Sequence, residues 1–370
     1  MTKIALLGNL TPQQFLAEYW QKKPLLIRQA FPQFKNFLSK EKLIALSYQD
    51  EIESRLITFN NKQWDLNLGP FQKSQFKSLP RNWTLLVQGI NHYFQDAQTL
   101  LNHFNFIPAA RLDDLMVSFA TDQSGVGPHI DSYDVFLLQG YGKRLWQISS
   151  QKKHVLDQDA PLKIFKNFKA TAEWILEPGD MLYLPPQYAH NGVAIGDCMT
   201  YSIGFRAPNY QELIGRFLEY MQDHCQVKGI YSDPDLKLSK NTAKIPSAMI
   251  RQITHILKTI RYNQNDIEIF LGNYLTEPKA NIIFDSPHSP MNQSIFLNQA
   301  VKQGIALDLK TQMLFTKNKL FINGVLCSYK NKILNQLANK REIILENKPS
   351  KPLSTILYEW YLAGFIGIKT

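Results

Sequence analysis

The hydrophobic pattern predicts a short N-terminal helix, then a strand, then a mainly helical region. Thr11-Pro12 with Gln14 forms a capping-box signature, which predicts a helix ending near Gln21, and "PLLI" shortly after it predicts a strand. Residues 40–110 contain stretches such as "TLLVQGINHYFQDAQTLLNHF", in which apolar residues recur at helical spacing. We therefore expect a helical cover over this region.

Between Arg111 and Arg206 the pattern changes to short β-rich segments separated by Gly, Pro and Asp. These segments are "LMVSFAT", "YDVFLLQ", "KRLWQIS", "MLYLP" and "CMTYSIGF". Their even spacing is typical of an antiparallel barrel or sandwich. We predict a β-barrel core in which Gly140-Tyr141-Gly142 separates two strands.

The remainder predicts helices followed by a small mixed module. After "RAPNYQELIGRFLEYMQDHC" the chain reads as helical, and its last part has the order helix, hairpin, helix, short strand, helix. The predicted class is α+β, with divisions at residues 1–210, 211–280 and 281–370. The middle part is a candidate dimerisation region and the last part is winged-helix-like.

Composition is that of an ordinary globular protein. Hydrophobic residues make up 44% of the 370 residues and charged residues 19%, and no apolar run reaches the roughly 18 residues of a membrane helix. We find no signal peptide and expect a cytoplasmic protein without a membrane span. Cys198, Cys225 and Cys327 are far apart, so we expect free thiols.

Positive charge is concentrated near the C-terminus. The net charge is +10, and residues 301–370 hold eleven Lys or Arg against four Asp or Glu. This surplus suits an anionic partner such as rRNA. A solvated basic face without any partner explains it equally well.

The stretch "GPHIDSYDVFLLQGYGKRLWQI" contains candidate metal ligands. On extended chain, His129 and Asp131 share one face, although the pair alone is also compatible with a polar turn. His190 follows "EPGDMLYLPPQYAH" inside the β-rich block, whereas the other histidines lie in predicted helices or loops. A His-x-Asp pair with a distant His on a barrel is the 2-His-1-carboxylate pattern of non-haem Fe(II) oxygenases.

An inward-facing arginine strengthens this interpretation. Strand alternation places Arg144 on the same face as Trp146 and Ile148, and a buried arginine requires an anionic partner. A dicarboxylate co-substrate would supply one, held by the planar guanidinium in a bidentate fashion. Ser118 and Thr200 are hydroxyl residues on apolar strands that would add hydrogen bonds, unless they are ordinary core residues.

Together, "YWQKKPLLI", "LMVSF", "GVGPHIDSYDVFLLQGYGKRLWQI", "EPGDMLYLPPQYAH" and "SIGFRAP" resemble the JmjC-type, cupin-fold 2-oxoglutarate oxygenases. The chain is most similar to the bacterial ribosomal oxygenases, which hydroxylate an arginine of large-subunit ribosomal protein sixteen. The resemblance implies a double-stranded β-helix barrel with a helical cover, a helical dimerisation region and a winged-helix-like domain. It also implies a homodimer.

The resemblance assigns the cofactor-binding residues. It implies that His129, Asp131 and His190 are catalytic Fe(II) ligands. It further implies that Arg144 and Ser118 bind 2-oxoglutarate, with dioxygen taking the remaining iron position.

The resemblance also places the substrate arginine against Tyr133 and Asp114, with Ser202 as a third contact. Tyr133 has independent support, because it shares the parity of His129 and Asp131 and a tyrosine face suits a guanidinium. Asp114 is assigned by the resemblance alone.

The predicted function is a protein arginine 3-hydroxylase that adds a hydroxyl group to the β-carbon of an arginine in a ribosomal protein. Hydroxylation rather than demethylation is expected. Three alternatives remain open: a JmjC histidine hydroxylase or lysine demethylase, a non-catalytic cupin regulatory protein that binds nucleic acid, and a small-molecule oxygenase on the same barrel.

Overall fold

Among residues 6–369, which are the residues that the computed structural model describes, nine strands form one antiparallel sheet. The strands are β1 (Leu25–Ile27), β2 (Ser54–Asn60), β3 (Gln63–Leu68), β4 (Trp83–Val87), β5 (Leu112–Ala120), β6 (Asp134–Ser149), β7 (Ala172–Leu176), β8 (Met181–Leu184) and β9 (Ala189–Phe205). Their order is β1-β8-β6-β9-β5-β4-β2-β3, with β7 paired to β6. The long strands β6 and β9 are therefore central neighbours.

Helices cover the outer face of this sheet, as predicted. They are α1 (Pro12–Glu18), α2 (Lys40–Leu46) and α3 (Gln95–Asn102). The predicted capping box is present, with Thr11 and Gln14 bonded reciprocally at the start of α1. Phe15 of α1 and Leu43 of α2 are buried in one core with Phe136 of β6.

The expectation that residues 40–110 are mainly helical is wrong in part. Strands β2, β3 and β4 lie in this region. In β4, Trp83–Val87, every residue is buried, so its apolar run does not alternate as a half-exposed strand would. A short continuous apolar run does not distinguish a buried strand from a buried helix.

The expectation of a turn at Gly140-Tyr141-Gly142 is also wrong, because β6 runs through it without a break. The register between β6 and β9 shifts here, between Gln139 and Lys143, so the triplet forms an irregularity within one strand. Gly142 has a φ of 62° and passes so close to the Asp197 carbonyl that a Cβ atom would clash with it.

Alternation along β6 separates two cores. Phe136 and Leu138 point to the helical cover. Val135 and Leu137 point to the opposite, inner face, where they pack with Leu182 of β8. The inner face is therefore available to line a cavity.

The rest of the chain contains six further helices and two small sheets among the described residues. The helices are α4 (Tyr210–His224), α5 (Ser247–Leu257), α6 (Gln264–Thr276), α7 (Gln293–Gln303), α8 (Lys332–Lys340) and α9 (Lys351–Leu362). The strands are β10 (Ile305–Leu307), β11 (Met313–Phe315), β12 (Leu320–Ile322), β13 (Val325–Leu326), β14 (Glu342–Ile343) and β15 (Ile366–Ile368). One sheet has the order β14-β10-β15 and the other β11-β12-β13.

The chain divides into two compact units. The first comprises the described parts of Met1–Ala207, Pro278–Gln312 and Gln336–Thr370, and the second comprises Pro208–Glu277 and Met313–Asn335. Across residues 6–369, none of the helices combines the length and apolar character that a membrane crossing requires.

A buried carboxylate inside the first unit gives a stability test. Asp134 is fully buried and accepts hydrogen bonds from the Tyr183 hydroxyl at 2.6 Å and the Gln21 amide at 2.9 Å. Y183F should lower the free energy of unfolding in urea by about 1–3 kcal/mol, because the carboxylate loses a donor that water cannot replace. Y141F, at a half-exposed tyrosine of the same sheet, should change it by less than about 0.5 kcal/mol. Equal effects would contradict this account.

Candidate active site

The inner face of the sheet opens onto a cavity of about 190 Å³. Side chains from several strands, from the segment before β6 and from the segment between β6 and β7 meet in it. Its lining includes His129, Asp131, His190, Arg144, Ser118, Tyr133, Ser202, Trp146, Met116, Arg55 and Lys163.

The three predicted metal ligands converge at this cavity. His129 and His190 pair through two reciprocal backbone hydrogen bonds of 2.9 Å, which set their rings 4.2 Å apart. The Asp131 carboxylate lies 3.8 Å from Nε2 of His129 and 3.6 Å from Nε2 of His190. One ligand atom from each residue lies within 4.8 Å of the others, as a single shared cation requires.

Hydrogen bonds behind the imidazoles orient them for metal binding. Nδ1 of His129 is 2.9 Å from the Gly127 carbonyl, and Nδ1 of His190 is 2.9 Å from the Tyr188 carbonyl. A ring nitrogen facing a carbonyl carries the proton, so each Nε2 is left with a free lone pair. Burial, and then the neighbouring His129, lower the pKa of His190 to about 4, so this ring is neutral at neutral pH. The donor set fits Fe(II).

Arg144 supplies a buried cation at the same cavity, as the strand alternation predicted. The residue is 4% exposed, and its Nη1 lies 3.4 Å from the Ser118 hydroxyl. Its Nε and Nη2 find no hydrogen-bond partner among residues 6–369. Because an unpaired buried guanidinium is costly, these groups fit a ligand carboxylate.

The Trp146 ring lies near both the Arg144 guanidinium and the metal ligand His190. The ring is 5.6 Å from the Arg144 guanidinium carbon and 5.9 Å from the His190 ring. Its indole Nε1 is buried and also has no partner in the described part of the chain. A side chain at Gly192 would collide with this ring, so glycine there permits the arrangement.

The two predicted hydroxyl residues have different surroundings. Ser118 lines the cavity beside Arg144. Thr200 pairs with Ser118 across β5 and β9, but its hydroxyl donates to the Gln139 side chain at 3.0 Å and does not line the cavity. Thr200 is therefore a core residue whose hydroxyl already has a hydrogen-bond partner, and it lies opposite the cavity residue Ser118.

Two of the three predicted substrate residues line the cavity, and the third does not. Tyr133 and Ser202 line the cavity with the metal ligands, whereas Asp114 does not. Asp114 is 5% exposed, and its Oδ2 lies 3.1 Å from the Gly89 amide and 3.5 Å from Nζ of Lys279. Burial raises the pKa of Asp114, and Lys279 counteracts this.

Arg55 is a cavity residue that the sequence analysis did not identify. Its Nε is buried without a partner among the described residues, and its Nη2 approaches the Met116 sulfur at 3.9 Å. Arg55 has the parity of Ile57, which also lines the cavity. Recognition of residues 54–60 as a strand would have found it.

A sheet of this kind with a His-x-Asp pair and a distant His is the arrangement of non-haem Fe(II) oxygenases. Consistent with this, residues 99–213 match the JmjC domain family. The chain is 33% identical over 296 residues to the ribosomal protein uL16 3-hydroxylase of Escherichia coli strain K12, an alignment covering 79% of this chain and 78% of the relative. It is 37% identical over 236 residues to a probable ribosomal oxygenase of Haemophilus influenzae, covering 63% of this chain and 56% of the relative. The chain belongs to the JmjC-domain ribosomal oxygenase family.

Solved structures agree with this assignment. The chain matches an X-ray structure of E. coli YcfD with a TM-score of 0.85 and 29% identity, over 98% of this chain and 99% of that chain. A structure of YcfD, a ribosomal oxygenase, in complex with cobalt and 2-oxoglutarate matches with a TM-score of 0.82 and 29% identity, over the same shares. The family resemblance and the fold class seen in the sequence are confirmed.

The metal site generates a direct test. H190A should lose Fe(II) or Co(II) binding, because it removes the most buried of the three ligands. Metal content after dialysis and calorimetric titration measure this. H255A, on exposed helix α5, is the control and should retain the metal. Metal binding by H190A at wild-type affinity would exclude the site.

Proposed function

We propose that the protein is a 2-oxoglutarate- and Fe(II)-dependent oxygenase that hydroxylates the β-carbon (C-3) of an arginine in ribosomal protein uL16. The observation that carries this proposal is the unpaired Arg144 guanidinium in the cavity that also holds the metal ligands. Family membership and the names of the similar proteins support the substrate.

One set of cavity residues would hold the metal and another would bind the co-substrate. His129, Asp131 and His190 would hold Fe(II), and Arg144 with Ser118 would bind the distal carboxylate of 2-oxoglutarate. When bound, iron with 2-oxoglutarate and dioxygen supplies the oxidation that converts a substrate C–H bond to C–OH while 2-oxoglutarate becomes succinate and carbon dioxide.

Apolar side chains form part of the wall of this cavity. Val135, Leu137 and Ile164 line its walls, and Trp146 lies between the cation and the metal ligands. The Trp146 indole N–H would provide an additional donor to the co-substrate. Apolar surroundings strengthen charge pairing at the guanidinium.

Tyr133, Asp114 and Ser202 would bind the substrate arginine. Tyr133 offers a ring face for the guanidinium, and Ser202 offers a hydroxyl on the same wall. Asp114 would act through its other carboxylate oxygen, Oδ1. Arg55 suits the main-chain carbonyls of the substrate, since its Nε needs an acceptor.

The remaining proposals concern assembly and location. A homodimer is supported by the exposed apolar residues Ile250, Ile253 and Leu257, which share one face of α5. Contact with rRNA through the C-terminal region is supported by its positive charge. A ribosomal substrate favours the cytoplasm. The division into oxygenase, dimerisation and winged-helix-like parts stays a prediction, as does a role of Thr200 beside the co-substrate.

Mass spectrometry tests the activity. The protein with Fe(II), 2-oxoglutarate and uL16 should add one oxygen to an arginine residue, and NMR of the modified peptide should place it on the β-carbon. Oxygen on histidine, or loss of a lysine methyl group, would instead indicate one of the other JmjC activities. Turnover with free metabolites alone would indicate a small-molecule oxygenase. Tight DNA binding without turnover would indicate a regulatory protein.

Arg144 gives a second test. R144M should raise the KM for 2-oxoglutarate by about 100-fold or more, because a buried charge pair is lost. Metal affinity should change little, since no ligand is removed. The control is K143M, at a neighbouring lysine on the exposed face that pairs with Glu177 at 2.6 Å. Equal losses of metal and 2-oxoglutarate affinity in R144M would contradict the assigned role.

A further inference from the structure

Lys279 lies against the carboxylate that the proposed function places near the substrate arginine. Its Nζ is 3.5 Å from Oδ2 of Asp114 and 3.4 Å from Oδ1 of Asp113. Lys279 belongs to the segment Pro278–Gln312, which is part of the same compact unit as the barrel. No local sequence feature links this lysine to β5.

The two carboxylates differ in their environment. The side chain of Asp113 is 37% exposed and lies 3.5 Å from Nε of Arg206. The side chain of Asp114 is only 7% exposed, and Lys279 is its only cationic partner within ion-pair distance among residues 6–369. A buried carboxylate without its cation is strongly destabilised in its charged form.

The hydrogen bonds of Asp114 fall on one oxygen and leave the other near the inner face of the sheet. The Gly89 amide and Lys279 both hold Oδ2. Oδ1 lies 3.8 Å from the position that a Cβ atom of Gly204 would take, and Cε2 of Tyr133 lies 3.9 Å from the same position. Gly204 pairs with the cavity residue Val135, so this position is on the inner face of the sheet.

We propose that Lys279 is a positioning residue for arginine recognition, which keeps Asp114 ionised and turned so that Oδ1 meets the substrate guanidinium. This inference rests on the proposed function and adds a residue outside the cavity to it. Lys279 binds the rear oxygen, so it does not compete with the substrate for the front one.

The electrostatics of the cluster are consistent with this role. The pKa of Asp114 is raised overall, because burial raises it most; Lys279 is the cation that opposes this rise, and Asp113 adds to it. On the cavity side, Tyr133 and the partly exposed Arg55 interact with this region, while His92, Tyr93 and Glu53 line the same small pocket as Lys279. Without Lys279, Asp114 takes up a proton more readily and loses its attraction for a guanidinium. The loss is greatest at low pH and is reversed as pH rises.

The test compares the arginine peptide with the same peptide carrying neutral citrulline at the target position. In K279M, the KM for the arginine peptide should rise about 10–100-fold, with kcat, the KM for 2-oxoglutarate and metal affinity little changed. The preference for arginine over citrulline should fall by the same factor. K279R, which keeps the charge, should restore both.

Two further measurements sharpen the result. The KM of K279M for the arginine peptide should fall more steeply than that of the wild type as pH increases from about 6 to about 9, because Asp114 has lost the cation that opposes its protonation. K310M, which removes an ion pair with Asp285 in the same segment, is the control and should behave as wild type. If K279M does not fold, K279M/D113N removes one carboxylate with the cation and is tested instead.

Several outcomes would overturn the inference. An equal loss for both peptides would indicate a purely structural lysine, and a lower KM in K279M would indicate that Lys279 competes with substrate. A wild type that hydroxylates arginine together with an unaffected K279M refutes the inference alone. A wild type that hydroxylates no arginine refutes the proposed function and the inference with it.

Discussion

The pairing of β6 with β9 is the constraint on which the site depends. Opposite residues of an antiparallel pair point to the same face of the sheet. The ladder contains the pairs Ile148–His190, Trp146–Gly192, Arg144–Ala194, Gln139–Thr200 and Leu137–Ser202. One ladder therefore fixes the separation between the metal ligand His190 on β9 and the cation Arg144 on β6, and a register slip of one residue would turn one of them away from the face that holds the other.

Two residues of this ladder lower the stability of the folded state. Arg144 and Trp146 have buried N–H groups without partners in the described chain, and such groups destabilise the folded state. An anion that pairs with them relieves this cost and stabilises the protein by mass action. The feature that weakens the fold is thus the feature that creates affinity for a carboxylate.

Strand alternation predicted the inward position of Arg144 and the cavity position of Tyr133, because these depend on local parity. It did not identify the metal ligands by itself, since the His129-x-Asp131 pair was also compatible with a polar turn and His190 is distant in sequence. It failed for β4, where both faces are buried and alternation disappears. It also failed at Gly140-Tyr141-Gly142, since glycines that serve an irregularity within a strand have the same composition as a turn. The environment of Asp114 could not be predicted from the sequence, because its partner Lys279 is distant in sequence and only the folded chain brings the two residues together.

The charges that line the cavity bear on the proposed role of Lys279. Among the described residues that line it, Asp131 is the only acid and it faces the metal position, whereas Arg55, Arg144 and Lys163 are cationic. Bound iron and 2-oxoglutarate would leave Arg55 and Lys163 without compensation, so the lining alone repels a guanidinium. In the proposed function, arginine recognition therefore uses a carboxylate from outside the lining, that of Asp114. Asp114 is buried and Lys279 pairs with its Oδ2, which in this proposal leaves Oδ1 for the substrate.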